Sequence, residues 1–336
     1  MKRRLGFALA ALVPLALFLA IREVASRRPQ VLASVGISNP TLLFSPDSRY
    51  LIIQEGHLKA GDLWDMSTRR RVRQLPKGRY YSFSPDSRAL AVINDNQGLT
   101  FDGKGVTYAP GARLFDLESG RSIQVVHAPK HFTDNWTLDA AFSPRGELIL
   151  TTARSFYRFN TTGQLLHRAV PQTAFDSPPE VASAQKIAPD GIHVLATDKI
   201  VRLHDISTGH IRHSLRSPAK GSPALRSPNF SPELVGWSPD GALVWEANTQ
   251  LIRFWNARTG KLARQWKTKN LFGAHFTPDS KHLAVVQGNR LELQEVLTGK
   301  VVKTLPGPRA EPFQIAPDGS FAVSIENGQL LRWRLR

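Results

Sequence analysis

The sequence predicts an all-β fold: a propeller of seven four-stranded antiparallel blades. Three observations predict it. One short phrase recurs seven times, as "FSPDS" from Phe44 and from Phe83, "FSPRG" from Phe142, "IAPDG" from Ile187, "WSPDG" from Trp237, "FTPDS" from Phe276 and "IAPDG" from Ile315. The prolines of the phrase run from Pro46 to Pro317 and lie about 45 residues apart on average, the length of a propeller blade and longer than a helical hairpin repeat. Between them, apolar residues alternate or run in short stretches bounded by turn residues, with no 3.6-residue period.

Residues 1–29 stand apart from this pattern. A basic cluster, Lys2, Arg3 and Arg4, precedes an uncharged and mostly apolar run from Leu5 to Ile21. Its length is at the lower limit for a membrane-spanning helix and a little long for a signal-peptide core. Small residues at the −3 and −1 positions of a cleavage site are missing: a cut after Ala25 puts Glu23 at −3, and a cut after Ala20 puts Phe18 there. The segment therefore reads as an uncleaved apolar signal-anchor helix, with cleavage and release to the periplasm or exterior as the alternative. Three basic side chains precede the run and three follow it. The free amino terminus tips the balance towards an amino end inside and a body outside the cytoplasm.

Residues 30–336 form the second region. "QVLASVG" at 30–36 is a strand without a unit of its own. Each of the first six units ends in a fourth strand, such as "RVRQL" at 71–75 or "VVKTL" at 301–305, but the seventh stops after its third, "QLLRWRLR". The spare strand is therefore expected to complete blade seven and close the ring, which leaves that blade no open edge.

The sixth unit shows the order within a blade. "GAHFTP" is a short apolar strand, "DSKH" a turn, "LAVVQ" a buried strand, "GN" a hairpin signal, "RLELQEV" an alternating strand, "LTG" a turn and "KVVKTL" the last strand. In the recurring phrase, the bulky residue two before each proline packs between sheets. Proline ends the strand because it has no N–H for the ladder, and Asp followed by Gly or Ser makes the turn. Arg145 replaces the Asp in the third unit, so that turn is expected to be the least regular.

The phrase, with "LWD" at 63–65, "LFD" at 114–116, "LHD" at 203–205 and "RFWN" at 253–256 after it, resembles the WD40-like propeller family over residues 31–336. The resemblance implies a protein-interaction platform. The family's Gly-His pair before the first strand is missing, because Gly56-His57 and Gly209-His210 fall elsewhere in the repeat. The family's internal hydrogen-bond tetrad is therefore not carried over.

Composition narrows the chemistry. The chain has 336 residues, no cysteine and a net charge of +17, of which +5 lies in the first thirty residues. Disulfides, thiolate zinc sites and a cysteine nucleophile are excluded. The positive balance favours acidic or anionic partners, or serves solubility alone. The stretch "TRRRVRQLPKGR" from Thr68 falls on the outer strand of blade one, where arginine guards an open edge or meets an anionic membrane.

All the long insertions follow second or fourth strands: Asn94–Gly111, His127–Asp139, Val170–Ala184 and Arg216–Leu234. Antiparallel alternation puts those connections on one face, over consecutive blades. That face is the expected binding surface, with neutral loop growth as the alternative. Its candidate contacts are His131, Trp136, Phe175, Arg216, Lys220 and Arg226, an aromatic and cationic set suited to a protein partner. His127 and His131 are four apart, but Pro129 between them spoils a helical metal pair. Asp95, Asn96 and Asp102 match no calcium-loop spacing.

No catalytic or phosphate-binding motif is present. "ARTGKLARQW" at 257–266 is faintly similar to the repeat of quinone enzymes, with Trp266 its one good instance. The expectation is a non-catalytic scaffold that binds another protein, without metal or cofactor, tethered to a membrane through residues 5–21; nucleic acid is not favoured. The alternatives are a lactonase-, peptidase- or quinoprotein-like enzyme with its site at the channel mouth, and a non-specific binder of anionic surfaces.

Overall fold

The computed structural model describes residues 29–36, 40–56, 59–93, 100–101, 106–107, 111–127, 137–152, 154–172, 184–197, 201–215, 235–247, 251–268, 271–288, 290–306 and 312–335. Among them are seven four-stranded antiparallel sheets and one short hairpin, Thr100–Phe101 with Val106–Thr107. Blade 1 comprises Pro40–Phe44, Tyr50–Glu55, Ala60–Asp65 and Arg70–Lys77; blade 2, Tyr80–Phe83, Ala89–Ile93, Gly111–Asp116 and Ser122–His127. Blade 3 comprises Thr137–Phe142, Leu148–Thr152, Phe156–Phe159 and Leu165–Ala169; blade 4, Ala184–Ile187, His193–Thr197, Val201–Asp205 and Ile211–Leu215. Blade 5 comprises Val235–Trp237, Leu243–Ala247, Leu251–Asn256 and Leu262–Lys267; blade 6, Leu271–Phe276, His282–Gln287, Arg290–Glu295 and Val301–Pro306.

Blade 7 takes Phe313–Ile315, Phe321–Glu326 and Gln329–Arg334 from the C-terminal end of the chain and Gln30–Ser34 from the N-terminal end. Gln30 pairs with Arg332 and Ser34 with Gln329. The expected ring closure is present. The expected signal-anchor helix of residues 1–29 lies, but for Pro29, outside the described residues, and among the described residues no helix is long and apolar enough to cross a membrane.

The core is divided among the interfaces. Seven buried apolar clusters occur, one between each pair of adjacent blades, including one that joins blades 7 and 1 through Phe44, Leu51, Phe321 and Leu330. The bulky residue of the recurring phrase sits in or against these clusters in every blade. Phe44, Phe83, Ile187, Phe276 and Ile315 are buried, while Phe142 and Trp237 are partly covered. Phe44 meets Phe321 edge-on at 5.6 Å across the closing interface. No sheet buries its faces alone, so each blade is stable only between two neighbours.

The turn of the phrase has a definite chemistry. In blade 1 the Ser45 hydroxyl donates to Asp47 Oδ1 at 2.5 Å and accepts the Tyr50 amide at 2.8 Å, while Asp47 Oδ1 accepts the Arg49 amide at 3.0 Å. Blades 2, 5 and 6 repeat this with Ser84, Ser238 and Thr277. The fifth residue of the phrase has positive φ in all seven blades, at Ser48, Ser87, Gly146, Gly191, Gly241, Ser280 and Gly319. The blade 3 turn, expected to be irregular, keeps this backbone: Gly146 has φ 79° and its amide bonds to the Ser143 carbonyl at 2.9 Å. The glycine conformation therefore sets the turn, and loss of the Asp removes only a side-chain bond.

Candidate functional site

The first- to second-strand and third- to fourth-strand turns lie on one face, called here the short-turn face. The second- to third-strand connections and the links between blades lie on the other. The strand ends that carry the four insertions, after Ile93, His127, Ala169 and Leu215, belong to the second set. The six expected contact residues, His131, Trp136, Phe175, Arg216, Lys220 and Arg226, all lie outside the described residues, as do Asp95, Asn96 and Asp102.

One insertion departs from the expected placement at its start. Beyond Ala169 the chain runs along the rim of blade 4: the Gln172 amide donates to the Gly209 carbonyl at 2.8 Å, and Gln172 Oε1 accepts the Ile211 amide at 3.0 Å. Gly209 belongs to a third- to fourth-strand turn, so Val170–Gln172 touch the short-turn side. The steep twist of an outer strand carries its end sideways towards the next blade, and simple up-down alternation misses this.

The same twist produces a recurring contact that sequence reading missed. The third or fourth residue of a fourth strand reaches the next blade, at its third- to fourth-strand turn or, in blade 7, just past the third strand, and meets a backbone carbonyl. Arg73 donates to Glu118 at 2.5 Å, Gln124 to Thr162, and His213 Nε2 meets the Arg258 carbonyl at 2.9 Å. His167 Nε2 meets the Ser207 carbonyl, and Lys303 donates to Leu335 at 2.7 Å. Glycine in those turns leaves room for the incoming side chain: a Cβ on Gly120 would lie 1.5 Å from an Arg73 nitrogen, and one on Gly260 2.6 Å from the His213 ring.

Around the central axis, polar groups gather on the first strands of blades 3, 4 and 5. Asp139 Oδ2 accepts the Ile187 amide at 2.8 Å, on the edge of blade 4 that faces the axis. Trp237 Nε1 donates to the Lys186 carbonyl at 3.0 Å. Burial pushes the Asp139 carboxyl above its ordinary range, against the charge of Lys186 and the amides of Ile187 and Ala140. This group bridges neighbouring blades.

A cleft of about 320 Å³ opens on the rim between blades 1 and 2. Leu63, Leu75, Leu90 and Phe115 line it, with Arg73 and Asp116 beside them. Arg73 is already engaged with blade 2, and Asp116 caps the turn after it through Ser119. Among the described residues no group of three or more His, Asp or Glu side chains is placed to hold a metal ion.

Ring, recurring turn and closing strand together define a WD40-like seven-bladed propeller. No family model matches the sequence, and no curated protein matches it. Solved structures similar to the chain include one from the mitotic checkpoint complex, at 15% identity and TM-score 0.65, covering 92% of each chain. Another is the Myceliophteria thermophila Cps50 (Swd1) beta-propeller domain, at 16% identity and TM-score 0.63, covering 92% of this chain and 100% of that one. A third is Kuenenia stuttgartiensis hydrazine synthase, at 14% identity and TM-score 0.58, covering 90% of this chain and 97% of that one. At these identities the likeness is one of fold.

Proposed function

We propose that the chain is a non-catalytic scaffold, held at or exported across a membrane through residues 5–21, that binds another protein on the face opposite the short turns. One observation carries this reading. Three of the four strand ends that bear long insertions, after Ile93, His127 and Leu215, open on that face, while the short turns of the other face are tied by internal hydrogen bonds. Two of the similar structures, one from a checkpoint complex and one a propeller domain, are compatible with interaction work. The positive balance of the chain suits an acidic partner.

The test shortens each insertion to a few glycine and serine residues and follows in-cell crosslinked products alongside the melting temperature. Loss of one defined, salt-resistant product with unchanged melting supports the scaffold. An unchanged product pattern with all four insertions shortened removes it. Trp136→Ala is the single-residue version. Under the binding reading capture falls while melting holds; a loss of about 3–5 kcal/mol instead marks Trp136 as core.

One observation favours a second reading, an enzyme with its site in the channel: the raised carboxyl of Asp139 beside Lys186. Turnover of lactones, peptides or alcohols that Asp139→Asn abolishes would support it, and absence of turnover across that panel would count against it.

A further inference from the structure

The structure places the entry of the N-terminal segment. Gln30 lies opposite Arg332 on the outer strand of blade 7, and the chain runs from there to Ser34, opposite Gln329. Gln329 follows the second- to third-strand turn, whereas Trp333 and Arg334 point the other way. Residues 1–28 therefore join the ring at the rim of blade 7 on the short-turn side.

That part of the rim differs from the rest in charge. Exposed Lys300 of blade 6, Arg334 of blade 7 and Arg69 and Arg70 of blade 1 lie on the blade of the entry point and its two neighbours, with Arg258 and Lys261 of blade 5 one blade further round, and none makes an ion pair among the described residues. Five other arginines are paired: Arg49 with Asp65, Arg71 with Asp62, Arg158 with Glu147, Arg212 with Asp205 and Arg253 with Glu246. The carboxylates near the entry point are already engaged. Asp65 holds Ser67 and Arg49, Glu295 holds Thr298, and Asp318 holds Ser320. The corresponding turns of blades 3 and 4, Thr161–Gln164 and Ile206–His210, carry no Lys or Arg, and that of blade 2 sets Arg121 against Glu118.

Three arginines converge where the chain enters. Arg332 stacks 4.2 Å over the Phe321 ring. Partial burial lowers its pKa, the neighbouring charges of Arg69 and Arg334 lower it further, and Asp318 opposes them. Three like charges held near a single carboxylate are relieved by a further anion. Beside them Leu297, at the tip of the blade 6 turn, is 73% exposed, and Val301, Val302 and Val31 stand exposed on the adjoining outer strands. Apolar tips among basic side chains suit the headgroup layer of a membrane.

We propose that the short-turn rim of blades 5, 6, 7 and 1 docks on anionic phospholipid headgroups of the membrane that residues 5–21 enter, turning the insertion-bearing face away from the bilayer. The proposal rests on the membrane-tether reading and adds a surface and an orientation to it. The occupant is a lipid surface because the basic rim surrounds the point where an apolar segment leaves the ring. Phosphate in solution would meet the charge but not the exposed leucine and valines.

The absence of cysteine makes the test direct. Full-length Leu297→Cys and Lys59→Cys, the second in the opposite-face turn of blade 1, carry a polarity-sensitive dye. Each is reconstituted with vesicles of phosphatidylcholine alone or with about 30% phosphatidylglycerol, a density of anionic lipid at which each basic side chain contributes measurably. The expected result is a dye at position 297 shielded from water on the anionic vesicles only, and a dye at 59 wet on both. Arg69→Gln, Lys300→Gln and Arg334→Gln each weaken the shielding roughly fivefold. Carbonate-resistant retention on phosphatidylcholine reports the tether separately. Retention with position 297 wet on anionic vesicles overturns the docking and leaves the tether. Shielding at 59 in place of 297 reverses the orientation and also overturns it. No retention on neutral vesicles, with salt-sensitive binding and shielding at 297 on anionic ones, removes the tether and upholds the docking. No binding to either vesicle overturns both.

Discussion

At the scale of single residues, the choice between serine and glycine in the recurring turn has a physical basis. Ser48, Ser87 and Ser280 occupy left-handed backbone, at φ of 63°, 58° and 57°, where a side chain costs about 1–2 kcal/mol. Each returns a hydrogen bond to the blade before it: their hydroxyls accept the amides of Asp318, Asp47 and Asp240 at 2.9, 3.1 and 3.0 Å. Ser87→Ala keeps the strain and loses the bond, so it is expected to cost about 1 kcal/mol in denaturant unfolding. Ser87→Gly loses both and is expected to be nearly neutral; equal costs for the two would show that the strain contributes nothing, and a neutral Ser87→Ala that the bond contributes nothing. A second residue-scale feature is the ion pair of Arg253 and Glu246, 2.7 Å apart with side chains only 5% and 6% exposed. Burial raises the Glu246 carboxyl even against Arg253. Arg253→Met strands that carboxyl and is expected to cost about 3–5 kcal/mol, most of which a matched Glu246→Leu change restores. Full stability in the single variant would mean the pair is dispensable.

At the scale of elements, the closing strand is the most exposed to test. Gln30–Ser34 covers one edge of Gln329–Arg334, and Leu32 and Val35 pack on the cluster between blades 7 and 1. A chain beginning at Asn39 loses all of this. It is expected to melt several degrees below one beginning at Arg28, and to aggregate through the freed edge; coincident melting curves would mean the ring holds without its closing strand. This element was legible in the sequence because seven copies of one phrase allow strands to be counted, and a count with one missing and one spare has a simple solution. The rim contacts were not legible. Their donors are Arg73, Gln124, His167, His213 and Lys303, different chemistries that share only a geometry. The path of Val170–Gln172 was hidden for the same reason, since it depends on strand twist and not on residue type. Of the proposed binding face, the sequence located four insertions and their strand ends. The six named contacts lie outside the described residues, in stretches that the recurring phrase does not cover.

At the scale of the whole molecule, the carboxylates predict how stability responds to acid. Asp86 and Asp116 are held below the ordinary range, first by the hydroxyls of Ser84 and Ser119. For Asp65, Asp190, Asp205 and Asp279 burial pushes upward, but hydrogen bonds from Ser67, His193, Ser207 and Thr277 and neighbouring amides outweigh it. A lowered folded value gives stability that is present above the unfolded range and lost as pH falls through the lowered one. Asp139 and Glu246, both raised, contribute in the opposite sense: their share is complete in acid and lost as pH rises through their raised values. Six groups oppose two, and the six recur around the ring. The denaturant midpoint is therefore expected to fall as pH drops below about 4, the ordinary carboxylate range. A midpoint that holds or rises there would mean that the two buried acids dominate.

The closing strand also sets a clock. Gln30 is among the first residues of the propeller to be synthesised, and its partner Arg332 follows about 300 residues later, a wait of roughly 15–60 s at ordinary elongation rates. Throughout that interval blade 1 has no neighbour on one side, and the strand that will cover blade 7 has nothing to cover. The circle becomes cooperative only when Gln329–Arg334 have left the ribosome. A premature stop before Gln329 therefore removes the third strand of blade 7 and, with it, the seat of the first strand made, so loss of one short strand undoes both ends of the fold.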